Sequence, residues 1–203
     1  MYYIEKNKPY DALVLFEKGF KIASEYNFPD LLSSITNNIG LIYDFINDYN
    51  NALEYYLKSI QFENDSLSSD PAFNNIGLCY FKLGNIEKAK TYYFKSLHFS
   101  LLANELKNLG NTYSNLSNLY SFEKNQDSAL FYLSKAIETY TLTSNQQGLS
   151  YLNGKLGEFF LSKKDFTNSI LYCRKSLSTA LEFDFFYQLA LLPVNVYINL
   201  LKS

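Results

Sequence analysis

One pattern constrains this chain more than any other. A small residue, an aromatic three places on, a short polar turn and then an alanine return in register along its length. The first small residues are Gly40, Gly77, Ser117 and Gly157, and the aromatics that follow them are Tyr43, Tyr80, Tyr120 and Phe160, with Tyr3 in the matching place before them. The second small position reads Ala12, Ala52, Ala89, Ala129 and Ser169, at steps of 40, 37, 40 and 40 residues. Self-similarity at a period of about 20–50 residues marks a supersecondary unit stacked on copies of itself. Such a unit cannot bury its apolar face alone, so the fold grows by nearest-neighbour contacts.

Residues 73–97, FNNIGLCYFKLGNIEKAKTYYFKSL, show what the unit is. Phe73, Ile76, Gly77 and Tyr80 fall at i, i+3, i+4 and i+7, one face of a helix. Ile86, Ala89, Tyr93, Ser96 and Leu97 continue the same period in a second segment. Gly84 stops the first helix, and Asn85 can cap the second through its side-chain oxygen. The chain therefore reads as all-α, built of antiparallel helix hairpins whose small residues let two helices approach closely. Asp48, Asn125 and Asp165 repeat the capping place of Asn85. The same register expects Tyr43, Ala52, Tyr56, Tyr80, Ala89, Tyr93, Tyr120 and Ala129 to be largely buried, the first-helix tyrosines filling equivalent holes.

Along the chain this gives a single array over 1–203: a partial repeat 1–28, repeats 29–64, 65–104, 105–144 and 145–184, and a terminal helix 185–203. The array starts inside a motif and ends on a helix of mostly Leu, Val, Ile, Tyr and Phe. Terminal repeats usually carry a polar outer face, so the sequence is expected to be part of a longer protein. Leu191, Val194, Ile198 and Leu201 would cover the preceding helix and leave apolar surface for self-association, which offers a structural, end-to-end spacer as a second role.

Composition removes several functions. The chain has 203 residues, 47% of them hydrophobic, and a formal charge of −2. That balance supplies no basic field for a nucleic acid backbone, and Arg174 is the only arginine to offer a bidentate fork. No apolar run reaches the roughly 18 residues that span a bilayer. His98 is the single histidine and reads as a solvated surface residue, without a metal-ligand or catalytic spacing around it. Cys79 and Cys173 fall in different repeats and read as small apolar fillers. No phosphate loop or nucleophile motif occurs. We expect neither catalysis nor a cofactor, and a cytoplasmic location, or a periplasmic one within a membrane sensor.

The residues quoted for the repeat also carry a resemblance. Small-x-x-aromatic, then Ala, a large residue four on (Phe16, Tyr56, Tyr93, Leu133, Cys173) and a small one three further (Gly19, Ser59, Ser96, Ala136, Ser176) resembles the tetratricopeptide repeat, TPR. Tryptophan is absent, Phe73 and Tyr113 standing in its slot, and the step exceeds the family's usual length of about 34. The longer form is similar to the repeats of kinesin light chains and of bacterial regulators. The resemblance implies a right-handed superhelix, an α-solenoid whose first helices line a concave groove for a protein or peptide partner. Similar bacterial arrays form sensor parts of signal-transduction proteins.

A candidate site lies on that groove face. Two residues before each small slot, about 200° from the helix–helix contact, stand Asn38, Asn75, Asn115, Lys155 and Asn195. Three residues on, the same face carries Leu41, Leu78, Asn118, Glu158 and Ile198, and further round come Phe45, Lys82, Phe122 and Ser162. A carboxamide both donates and accepts, so a row of them can pair with a peptide backbone whatever its sequence. The same asparagines can instead bridge neighbouring first helices. The face carries only Lys82, Lys155 and Lys202 as cations, with Glu158 one turn from Lys155, which suits an uncharged or mildly apolar segment better than a clamped carboxylate.

Overall fold

The computed structural model describes residues 9–62 and 70–183, and within them the chain forms nine α-helices and no strand. They are α1 (Pro9–Glu25), α2 (Pro29–Phe45), α3 (Tyr49–Phe62), α4 (Asp70–Lys82), α5 (Ile86–Ala103), α6 (Leu106–Phe122), α7 (Gln126–Leu142), α8 (Gln146–Ser162) and α9 (Phe166–Glu182). Each helix packs on the next in sequence, and the first helices α4 and α6 also touch across a repeat. The result is the all-α stack of antiparallel hairpins that the repeat pattern implied, the architecture expected from the resemblance. The expectations for the terminal helix, Asn195 included, fall outside the described residues, as do Tyr3 and residues 63–69.

Local chemistry fixes the helix ends. The side chains of Asn85, Asn125 and Asp165 accept from the backbone N–H three residues on, Lys88, Ser128 and Asn168, and Asp48 accepts from that of Asn51 at 3.2 Å. Asn145 caps α8 in the same way, through Gly148. Each cap contributes on the order of 1 kcal/mol. The residue before each hairpin cap is left-handed: Asn47 at φ 62°, Gly84 at 81°, Lys124 at 59° and Lys164 at 61°. Only Gly84 adopts that region without a Cβ penalty.

The hairpins close on their small residues. A Cβ added at Gly40 would stand 2.7 Å from the ring of Tyr56, and one at Gly77 2.6 Å from the ring of Tyr93. Ala52, Tyr56, Ala89 and Tyr93 are buried accordingly. In the last hairpin Gly157 faces the sulfur of Cys173 instead. Both cysteines are free and buried. His98 is exposed, its ring edge-on to Phe99.

Four of the eight residues expected to be largely inaccessible are only half-buried: Tyr43, Tyr80, Tyr120 and Ala129. The tyrosines do not fill holes. They stack on a tyrosine of the second helix, Tyr43 on Tyr55, Tyr80 on Tyr92 and Tyr120 on Tyr132, with centroids 5.5, 5.5 and 5.4 Å apart, and Phe160 on Tyr172 at 5.4 Å. Tyr56 and Tyr93 occupy the interior, and the paired rings seal its edge. Ala129 is opened by the cavity described below.

Candidate functional site

The groove-face residues divide into two groups by what their polar atoms already hold. Asn38 donates to the carbonyl of Ser34 one turn back in α2, at 2.9 Å. Asn75 is half-buried, as are Leu41 and Leu78, while Phe45 and Lys82 are exposed. Asn115 donates to the side-chain oxygen of Asn74 at 3.0 Å and so ties α6 to α4. Asn74 is buried, and its oxygen also receives the Thr112 hydroxyl at 3.4 Å. Thr112 in turn shares a 2.8 Å bond with Ser96 of α5. A buried polar thread thus links three helices. At Asn115 the amide does the bridging work that the sequence allowed for.

The second group converges. Asn118, Phe122 and Lys155 line one cavity of about 460 Å³ between α6, α7 and α8, together with Glu158 and Ser162. Phe81 and Phe159 complete its aromatic wall, and Ala129, Leu130 and Leu133 form its floor. Phe122 is 65% exposed and meets Phe81 edge-on, with centroids 5.7 Å apart. Asn118 donates to the hydroxyl of Tyr151 in α8 at 3.1 Å. Lys155 holds Glu158 at 2.9 Å. Burial presses the Lys155 ammonium downward, but the hydrogen bond to Glu158, with the Tyr151 and Glu158 charges, carries it above the usual lysine range. Lys124 adds a further cation, and Lys163 reaches across from the end of α8 to the Gln126 side chain at the rim.

Beyond the cavity, the C-terminal part of α7 packs differently from its counterparts. Tyr140 stands where three of the four other repeats place a small residue, Ala23, Ser100 and Ala180. Its ring lies between Gly110 of α6 and Gly148 of α8, where a Cβ would come within 2.6 and 2.5 Å of it. The hydroxyl donates to Asn111 at 2.8 Å, and burial pushes the phenol up to about 12. A large wedge takes the place of a small contact residue at this junction. Ser117, with its hydroxyl donated to the carbonyl of Ala129 at 2.9 Å, sets the hairpin spacing on the cavity side.

The arrangement offers an aromatic wall, an apolar floor and an adjustable polar rim. Among the described residues no group of three or more His, Cys, Asp or Glu side chains could hold a metal ion, and no helix is long and apolar enough to cross a membrane. Asn74, Tyr151, Phe81 and Phe159 escaped the sequence reading. They sit one place off the chosen columns or in repeats where the column changes residue type. The glycine pair around Tyr140 was a usable signal.

Models of the tetratricopeptide repeat match residues 34–66 and 69–141. Comparison with curated proteins gives no match. Among solved structures, the chain is similar to BtubC (BKLC) from P. vanneervenii, with a TM-score of 0.74 and 19% identity over 90% of this chain and 77% of that one. It is also similar to the apo form of RapI, at 0.69 and 16% over 90% and 65% of the two chains. MamA aligns at 0.61 and 17% over 90% and 94%. At these identities the likeness is one of fold.

Proposed function

Because the chain belongs to the tetratricopeptide-repeat family, whose arrays are scaffolds for protein–protein interaction, we propose that it binds an extended segment of a partner protein along its first helices, without catalysis. The cavity between α6, α7 and α8 is the anchor point. One observation carries this reading: Asn118, Phe122 and Lys155, chosen from the repeat register alone, line the same 460 Å³ space. A concave site with mostly apolar walls and a few polar groups is the ordinary form of a binding site. Phe122 supplies exposed aromatic area, and Asn118 can exchange Tyr151 for a peptide unit at little net loss. Asn38 and Asn75, with Leu41, Leu78, Phe45 and Lys82, extend the same face toward the N-terminal repeats, whereas the Asn115 amide is taken up by its bridge to Asn74.

The test selects peptides on the wild-type protein from a displayed random library and measures their affinity for variants. Phe122→Ala should weaken selected peptides by about 1–2 kcal/mol, as exposed aromatics at interface centres do, with the thermal midpoint unchanged. Peptides that bind the Phe122→Ala and Asn118→Ala proteins as tightly as the wild type would remove the cavity from the site.

A further inference from the structure

A second surface lies on the other side of the hairpins. Six residues after each second-helix small position stands a lysine: Lys18, Lys58, Lys95, Lys135 and Lys175. Each follows by two residues the side chain in the large-residue slot (Phe16, Tyr56, Tyr93, Leu133, Cys173), and therefore points about 200° away from it. Leu133 is on the cavity floor, so the lysine row faces away from the cavity. Three of the ammonium groups sit over the tyrosine one turn back, Lys58 on Tyr55 and Lys95 on Tyr92 at 4.9 Å and Lys175 on Tyr172 at 5.1 Å. These are the tyrosines of the stacked pairs, so rigid rings hold each cation in place.

The middle turns of the second helices carry more cations than anions, while Asp11, Glu25, Glu87, Asp127 and Glu182 lie toward the helix ends. From two to nine residues after each small position, the five second helices carry Lys18, Lys21, Lys58, Lys95, Lys135, Arg174 and Lys175 against Glu17, Glu54 and Glu138. That is seven cations to three anions in a chain whose net charge is −2. Glu54 pairs with Lys58 at 2.6 Å and Glu138 with Lys135 at 3.0 Å. Lys18, Lys95 and Lys175, in alternate repeats, are exposed.

We propose that this lysine row is a docking surface for an acidic protein segment lying across the second helices. Charge complementarity selects that occupant. Single ammonium points spaced one repeat apart suit carboxylates on a chain that adjusts its spacing. They do not match the continuous phosphate charge of a nucleic acid, roughly one per 1.7 Å of duplex, and the row has one arginine fork. This surface is separate from the cavity, so the two readings stand or fall independently.

The test uses a fluorescein-labelled glutamate homopeptide and, beside it, a single-stranded thymidine oligonucleotide, titrated with the whole chain at low ionic strength. Fluorescence anisotropy should show the glutamate peptide binding, and binding should fade as added salt shortens the Debye length. Lys18→Glu, Lys95→Glu and Lys175→Glu combined should weaken it by about tenfold or more, while Lys124→Glu at the cavity rim leaves it within about twofold. Lys→Gln at the same three positions gives an intermediate loss and guards against a folding defect, checked by circular dichroism. No binding to the wild type, an equal loss from Lys124→Glu, or tighter binding of the oligonucleotide than of the glutamate peptide would each overturn the proposal.

Discussion

Replacing Gly77 with alanine sets two known effects against each other, and the structure decides between them. Helix propensity favours alanine over glycine in a helix interior by about 1 kcal/mol. Against this, the new Cβ would stand 2.6 and 2.7 Å from two carbons of the Tyr93 ring and 3.2 Å from a third. Carbon atoms rest at about 3.5–4.0 Å, so the ring must retreat by close to an ångström. Tyr93 is 1% exposed and shares its cluster with Ala89, Leu116 and Leu119, which leaves little room. Overpacking of such a site costs about 1–3 kcal/mol, so the net effect should be a loss of about 1 kcal/mol. The α6–α7 hairpin shows the remedy, since Ser117, which carries a Cβ, is matched there with Leu133 rather than tyrosine. In a cycle of wild type, Gly77→Ala, Tyr93→Leu and the double variant, the second change should offset the first, with a coupling of about 1 kcal/mol. Urea unfolding followed by circular dichroism gives the four free energies. A Gly77→Ala protein more stable than wild type, or a strictly additive cycle, would refute the close-approach account.

Four further outcomes are expected. Asn115→Ala should cost about 1 kcal/mol by withdrawing a donor from buried Asn74, whereas Asn75→Ala should leave the urea midpoint nearly unchanged; the reverse ranking would contradict the bridge. Burial raises the Asp44 carboxyl, with Lys82 opposing, so the folded state holds its proton more tightly than the unfolded chain. Stability contributed by Asp44 is thus lost as pH rises from the unfolded value of about 3.9 through the raised one, and Asp44→Asn should raise the midpoint at neutral pH but not at pH values below the unfolded one. The Tyr56 hydroxyl is buried without a hydrogen-bond partner among the described residues; Tyr56→Phe should therefore be neutral or stabilising by up to about 1 kcal/mol, and a clear loss in a melt would reveal a bond. Burial, with Asp44 nearby, pushes the Cys79 thiol up to about 12, so a thiol-specific disulfide reagent should label it only in denaturant; rapid labelling of the native protein would show the site to be open.

The sequence by itself determined everything that depends on neighbours three to seven residues apart. Helix periodicity, the caps at Asp48, Asn85, Asn125 and Asp165 and the turn at Gly84 are local rules, and their repetition in register separates them from chance and also picks out the hairpin contacts through Gly40, Gly77, Ala52 and Ala89, which join residues 12 or more places apart. Tertiary structure decided what depends on the spacing between repeats. Whether Asn115 faces solvent or reaches Asn74 is set by how closely α4 and α6 approach, a distance no single helix encodes. The stacking of Tyr43, Tyr80 and Tyr120 on the edge rather than in the core has the same origin: the residue beside each partner, Tyr56 or Tyr93 in the first two, already fills the interior, and only packing of the two helices shows which ring wins. The cavity at Asn118 and Lys155 draws its lining from α6, α7 and α8 together, and the Tyr140 ring sits between Gly110 and Gly148, residues 30 places before it and 8 places after. Each residue looks ordinary within its own helix, and their joint effect exists only where three helices meet.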